Sequence, residues 1–139
     1  MKEQLIVVPT IQVQRFWHLA EPFLQSALDK GNKEFTAGQL KLLCTQGQQQ
    51  LLLIMKGEDC LGSATVQWIS YPNDRVAYIT YLGGKNIHTI ADDFKDWVKT
   101  SGGTSVQCST KYDSIVRLLT KKHGYKAKYQ LLELSLIHI

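Results

Sequence analysis

Residues 75–125 run through a strand, a Gly-Gly turn, an amphipathic helix, a second strand, a second helix and a Gly-Tyr stop. Few arrangements satisfy that succession. A strand that turns through glycines into a helix and returns as a strand is a crossover, parallel and right-handed in nearly all sheets. The strand over residues 76–82 is apolar and aromatic on both faces, which predicts a position inside a sheet covered on two sides. The helix behind it carries Ile87, Ile90, Ala91, Phe94, Trp97 and Val98 on one stripe and ends at Gly102-Gly103. Val106 and Cys108 mark the returning strand. Asp113 reads as the cap of a last helix with Ile115, Val116, Leu118 and Leu119 inward, and Gly124 as its left-handed stop.

Upstream, residues 5–8 form a short apolar run halted by Pro9. Val13, Phe16, Trp17, Ala20, Leu24, Ala27 and Leu28 then recur at helical steps; Pro22 should break or kink that helix near Glu21, and Gly31-Asn32 should end it. Thr36 and Gln39 stand at capping-box spacing before a helix that turns Leu40, Leu43 and Cys44 inward. Residues 51–55 are continuously apolar, and the turns at residues 56–59 and 71–74 make this strand and the next two an antiparallel meander. Leu132, Leu134 and Leu136 predict a long closing strand over residues 129–137. The expected order is β-α-α-β-β-β-α-β-α-β: a mixed sheet with helices on both faces, an α/β (α+β) domain spanning residues 1–139.

With 139 residues and 44% apolar content, the chain has material for one core. No apolar run nears the roughly 20 residues that cross a bilayer, and the opening residues, Met1-Lys2-Glu3-Gln4-Leu5, predict no cleaved leader. Cys44, Cys60 and Cys108 are widely spaced and odd in number, which reads as reduced thiols in a cytosolic protein. His18, His88, His123 and His138 are scattered singly and imply no metal. The net charge of +4 gathers late, at Lys111, Arg117, Lys121, Lys122, Lys126 and Lys128. Lys121 and Lys122 suit the negative end of a helix; with Lys126 and Lys128 they also offer a contact to phosphate or nucleic acid.

A phosphate-bearing cofactor often sits where a strand feeds a glycine turn and a helix. Here the turn is Tyr81-Leu82-Gly83-Gly84-Lys85-Asn86. Its adjacent glycines complete neither a P-loop nor a dinucleotide fingerprint, and a tight turn alone would explain them. If a cofactor binds, Gly83, Gly84, Lys85 and Asn86 are the residues to hold it. Trp68, Tyr78 and Tyr81 are either core or the lining of a cleft. Tyr81 is the nearest candidate for acid chemistry, Asp74 lies back in the preceding turn, and the strand over residues 75–82 offers no carboxylate.

The element order across nearly the whole chain resembles the GNAT fold, that of the Gcn5-related N-acetyltransferases. Leu119-Thr120-Lys121-Lys122-His123-Gly124-Tyr125 is similar to that family's closing L-Y-E-K-x-G-F segment. The pattern of an early aromatic helix, a strand ending in Gly-Gly and a late Gly-Tyr also resembles small GNAT-like proteins of tailed phages, including the podovirus internal virion protein. The chain departs from the enzymes in its turn, whose adjacent glycines give no G-x-G, in its acid, and in offering no base on the strand over residues 75–82. Ile87 stands where their Q/R-x-x-G-x-G/A turn wants a small residue, and Thr120 stands where they carry a Tyr acid. The resemblance therefore implies first a non-catalytic virion-associated or assembly protein, in the host cytoplasm or virion, with other phage structural proteins as partners and no cofactor. The alternative is a diverged N-acetyltransferase using acetyl-CoA, and a third reading is a small nucleic-acid-associated factor.

Overall fold

Apolar strands joined by two-residue turns pair with their neighbours, and three of the strands do so here. The computed structural model describes residues 2–31, 34–85 and 87–137. Asn32, Asn86, His138 and the side chains of Ile87 and His88 lie outside the described residues. The chain divides into two units, Met1–Cys108 and Ser109–Ile139.

In the first unit β1 (Gln4–Val8), β2 (Gln50–Lys56), β3 (Asp59–Tyr71), β4 (Asp74–Gly84) and β5 (Ser105–Cys108) form one sheet in sequence order. The first four are antiparallel, and β4 and β5 are parallel, as the crossover requires. Helices α1 (Val13–Lys30) and α2 (Ala37–Thr45) cover one face, where Trp17, Leu24, Leu28, Leu40, Leu51 and Leu53 pack together. Helix α3 (Ala91–Thr100), entered through a 3-10 turn at Ile87–Ile90, covers the other, where Phe94 and Val98 meet Leu52, Ile54, Val66 and Ala77. The two clusters take alternate residues of β2, as a strand buried on both faces must.

Several local expectations hold. Thr36 and Gln39 form the reciprocal capping box of α2. Trp17 and Phe94 are buried, and Trp97 packs beside Phe94. Others are corrected. Helix α1 runs unbroken through Pro22. The proline ring lies on the exposed face, while Trp17, Ala20, Leu24 and Leu28 remain buried on either side of it. That continuous apolar stripe outweighs one missing amide. Strand β4 extends through Gly83 and Gly84, so the glycines end a strand and the turn begins at Lys85.

Both long strands are bulged. Ile54 pairs with Gly62 and Met55 with Cys60, which leaves Leu61 as the extra residue of β3. Thr65 pairs with Tyr81 and Val66 with Ile79, which leaves Thr80 as the extra residue of β4. A bulge shifts the side-chain alternation by one from that point on. Ala77 and Ile79 accordingly join the α3-side cluster, while Tyr81 joins the cluster beneath α1 and α2.

The second unit holds α4 (Asp113–Lys122). Asp113 is its first helical residue, with Tyr112 in the cap position, so the acidic group meets the helix dipole instead of capping an amide. Gly124 has φ of 75°, and Tyr125 N–H reaches back to the Leu119 carbonyl, the expected left-handed stop. None of Ile115, Val116, Leu118 and Leu119 is buried. The strand expected over residues 129–137 is not formed, and Leu131 and Leu132 are each 88% exposed. Alternation makes a strand only where a ladder partner exists, and this segment has none among the described residues.

Candidate active site

Pairing between β4 and β5 stops at Ile79 and Cys108. From Thr80 onward β4 is held by β3 alone, so residues 80–84 have an edge with no partner strand among the described residues. The bulge stands at the start of this edge. A sheet that parts beside a bulge presents free backbone donors and acceptors at one point of an otherwise paired core.

Tyr81 is the first side chain beyond the bulge. It is buried, at 9% exposure, and its hydroxyl donates to Glu34 Oε2 at 3.3 Å. Glu34 lies in the connection between α1 and α2, just ahead of the Thr36 cap, and is itself exposed. Phe35 sets its ring edge-on to Tyr81 at 6.3 Å between centroids. Burial pushes the Tyr81 phenol up to about 12, with the negative Glu34, the bond to it and the neighbouring Tyr78 acting in the same direction. Tyr81 therefore stays a neutral donor through the physiological range.

Thr80, the residue before Tyr81, belongs to a polar cluster. Thr80 Oγ1 donates to Gln49 Oε1 at 2.6 Å and stands 2.6 Å from Thr65 Oγ1. Gln49 and Thr65 are both buried.

The two glycines that end β4 have packing reasons to be there. A Cβ on Gly83 would lie 2.3 Å from the Phe23 carbonyl oxygen of α1, and one on Gly84 would lie 2.4 Å from Gly62 Cα of β3. Gly84 also has φ of 129°, where a side chain is strained. The Lys85 amide donates to the carbonyl of the bulged Leu61 at 2.9 Å, while its side chain is exposed. The fourth cofactor candidate, Asn86, is among the residues not described. Asp92 and Asp93 occupy the first turn of α3.

The remaining sequence candidates are dispersed. Trp68 packs at a tilt against Trp97 on the α3 side, under the Arg75 guanidinium, so it does not share a face with Tyr81. Asp74 accepts from the Thr104 and Ser105 hydroxyls at the opposite end of β4. The Thr120 hydroxyl bonds back to the Val116 carbonyl of its own helix. Lys121 and Lys122 are exposed in the last turn of α4, and Lys128 lies over the Tyr129 ring. Glu34 and Gln49 are the residues that sequence reasoning missed. Neither stands in a motif, and a contact across 47 positions of chain leaves no local signal. The only available hint for Glu34 was its place beside an aromatic residue just before a capping box.

No family model matches the chain, and no curated protein matches it. Solved structures do. An aminoglycoside acetyltransferase from an uncultured soil metagenomic sample, solved with sisomicin, superposes with a TM-score of 0.70 at 11% identity, over 96% of each chain. Ribosomal-protein-alanine N-acetyltransferase from Brucella melitensis biovar Abortus 2308 gives 0.71 at 12%, covering 96% of this chain and 99% of that one. A predicted acetyltransferase from Clostridium acetobutylicum, solved with acetyl-CoA, gives 0.64 at 13%, covering 99% and 98%. The fold is that of the GNAT acetyltransferases. None of these three is described as a phage or virion protein.

Proposed function

We propose that the chain is a diverged acyl-CoA-dependent N-acyltransferase. The observation that carries this reading is the opened edge of β4, with a carboxylate–phenol pair at its bend. The virion-associated role that the phage resemblance put first draws no support from the structural likenesses, and the enzyme alternative takes its place.

The edge over residues 80–84, without a partner strand among the described residues, fits the amide arm of an acyl carrier, which can add to a sheet as an extended strand does. The diphosphate end is met differently from the complete signature. The Lys85 amide is already engaged and the glycines are packed, so among the described residues of the turn the exposed Lys85 side chain is the group available to contact it. When bound, the carrier supplies an acyl thioester. Glu34 would draw a cationic amine toward Tyr81 and take its proton as base. Tyr81, pushed up to about 12 and so held neutral, would give a hydrogen bond from Oη to the departing sulfur, which leaves as free thiol with a proton from solvent. Both roles require the bulge, because without it Tyr81 would stand on the α3 side with Ile79.

Release of free thiol from acetyl-CoA, followed against a panel of primary amines, tests the proposal. Turnover with at least one amine is expected, falling on the order of 100-fold or more in Tyr81→Phe and in Glu34→Gln. Absence of thiol release with every amine, together with no heat of CoA binding at millimolar ligand, would remove it.

A further inference from the structure

The cluster of Gln49, Thr65 and Thr80 has no part in the chemistry described above, and its burial needs a reason. An amide and two hydroxyls placed in an apolar layer are unfavourable unless each is bonded. Gln49 is 6% exposed and Thr65 fully buried, and Thr65 stands directly opposite Tyr81 in the β3–β4 ladder. Thr80 has a single hydroxyl proton. It goes to Gln49 Oε1, which leaves the Thr65 hydroxyl to donate to Thr80, a chain of two bonds each 2.6 Å long. The Thr65 main-chain carbonyl lies 3.0 Å from the same Thr80 oxygen, so three groups converge on the extra residue of the bulge.

A bulge is slack in a ladder, and its position along the strand is not fixed by the ladder itself. Moved past Tyr81, it would return Tyr81 to the alternation of Ala77 and Ile79, on the face opposite Glu34. Something must hold it at Thr80. Gln49 comes from the connection between α2 and β2, outside the β3–β4 hairpin, and so ties the bulge to a different part of the fold. We infer that Gln49 is a positioning residue for Tyr81. Its side-chain amide clamps the Thr80 hydroxyl, fixes the bulge at that residue, and thereby holds the phenol on the Glu34 side of the sheet. The catalytic meaning of this clamp rests on the acyltransferase reading, but its geometry does not.

Nuclear Overhauser contacts between the Tyr81 and Phe35 rings report the face directly. Those contacts should be present in the wild type and in Thr80→Ser, which keeps the hydroxyl. They should be lost in Gln49→Leu and Thr80→Val variants whose circular dichroism remains that of the folded protein, with turnover lowered on the order of 100-fold and KM for the acyl donor unchanged. Retention of the ring contacts in folded Gln49→Leu would overturn the inference. If both disruptive variants fail to fold, the wild type still decides: a slowly exchanging Thr80 hydroxyl proton with contacts to the Gln49 side chain supports the clamp, and a freely exchanging one refutes it. The ring contacts do not require activity. A chain with no acyltransfer can still pass this test, and an active chain can fail it.

Discussion

A single methyl group at residue 83 would sit 2.3 Å from the carbonyl oxygen of Phe23. Gly83→Ala is therefore expected to destabilise the protein by about 1–3 kcal/mol through overpacking of α1 against β4. Urea denaturation measures this, and an unchanged midpoint would mean that α1 does not lie so close. The same residue shows how far local reading reached. Adjacent glycines between a strand and a helix read as a turn, because period-two alternation cannot reveal that α1 presses on the strand from above. Tyr81 was legible as a candidate acid, but its face was not. Counting by twos from Ala77 puts it on the α3 side, and only the extra residue at Thr80 reverses that. Glu34, its partner, lies 47 positions away and became visible only once the α1–α2 connection was placed.

Elements whose signals are local were legible: the capping box of α2, the α1 and α3 stripes, the two hairpins and the crossover to β5. Thr36→Ala should cost about 1 kcal/mol, since it removes the acceptor for the Gln39 amide. Thermal unfolding will show it as a lowered midpoint, and no change would mean that the cap is solvated in practice. A break at Pro22 does not occur: proline removes an intrahelical bond wherever it stands, while the decision to continue belongs to the buried face. Pro22→Ala restores that amide on the exposed side of α1 and is expected to raise stability by about 1–3 kcal/mol. A less stable variant would show that α1 needs the proline's geometry. The closing strand failed for the complementary reason. Its alternation is real, but a strand exists only with a partner, and the identity of a partner is not written in the segment itself.

At the scale of the whole molecule, burial ties stability to alkaline pH through Cys44 and Tyr81, with the Cys60 and Cys108 thiols pushed the same way. Burial pushes the Cys44 thiol from an ordinary value of 9.0 up to about 12, and Tyr81 moves from 10.0 to about 12. The unfolded chain loses these protons first. Stability is thus unaffected below pH 9, falls as pH rises from 9 toward 12, and steepens once Tyr81 joins at 10. Each proton contributes a slope of about 1.4 kcal/mol per pH unit. In urea titrations, Cys44→Ala should flatten the decline above pH 9 by close to one proton. An unchanged slope would place that thiol in contact with water. The unit that holds this core also holds the opened β4 edge, and the functional proposal stands or falls on that edge. The measurement that bears on it most directly is an amide-resolved NMR titration with CoA. The account predicts shifts concentrated on residues 80–85, with the ring signals of Tyr81 moving alongside them. Undisturbed amides over those residues at millimolar CoA, or shifts confined to α4 and its lysines, would contradict it.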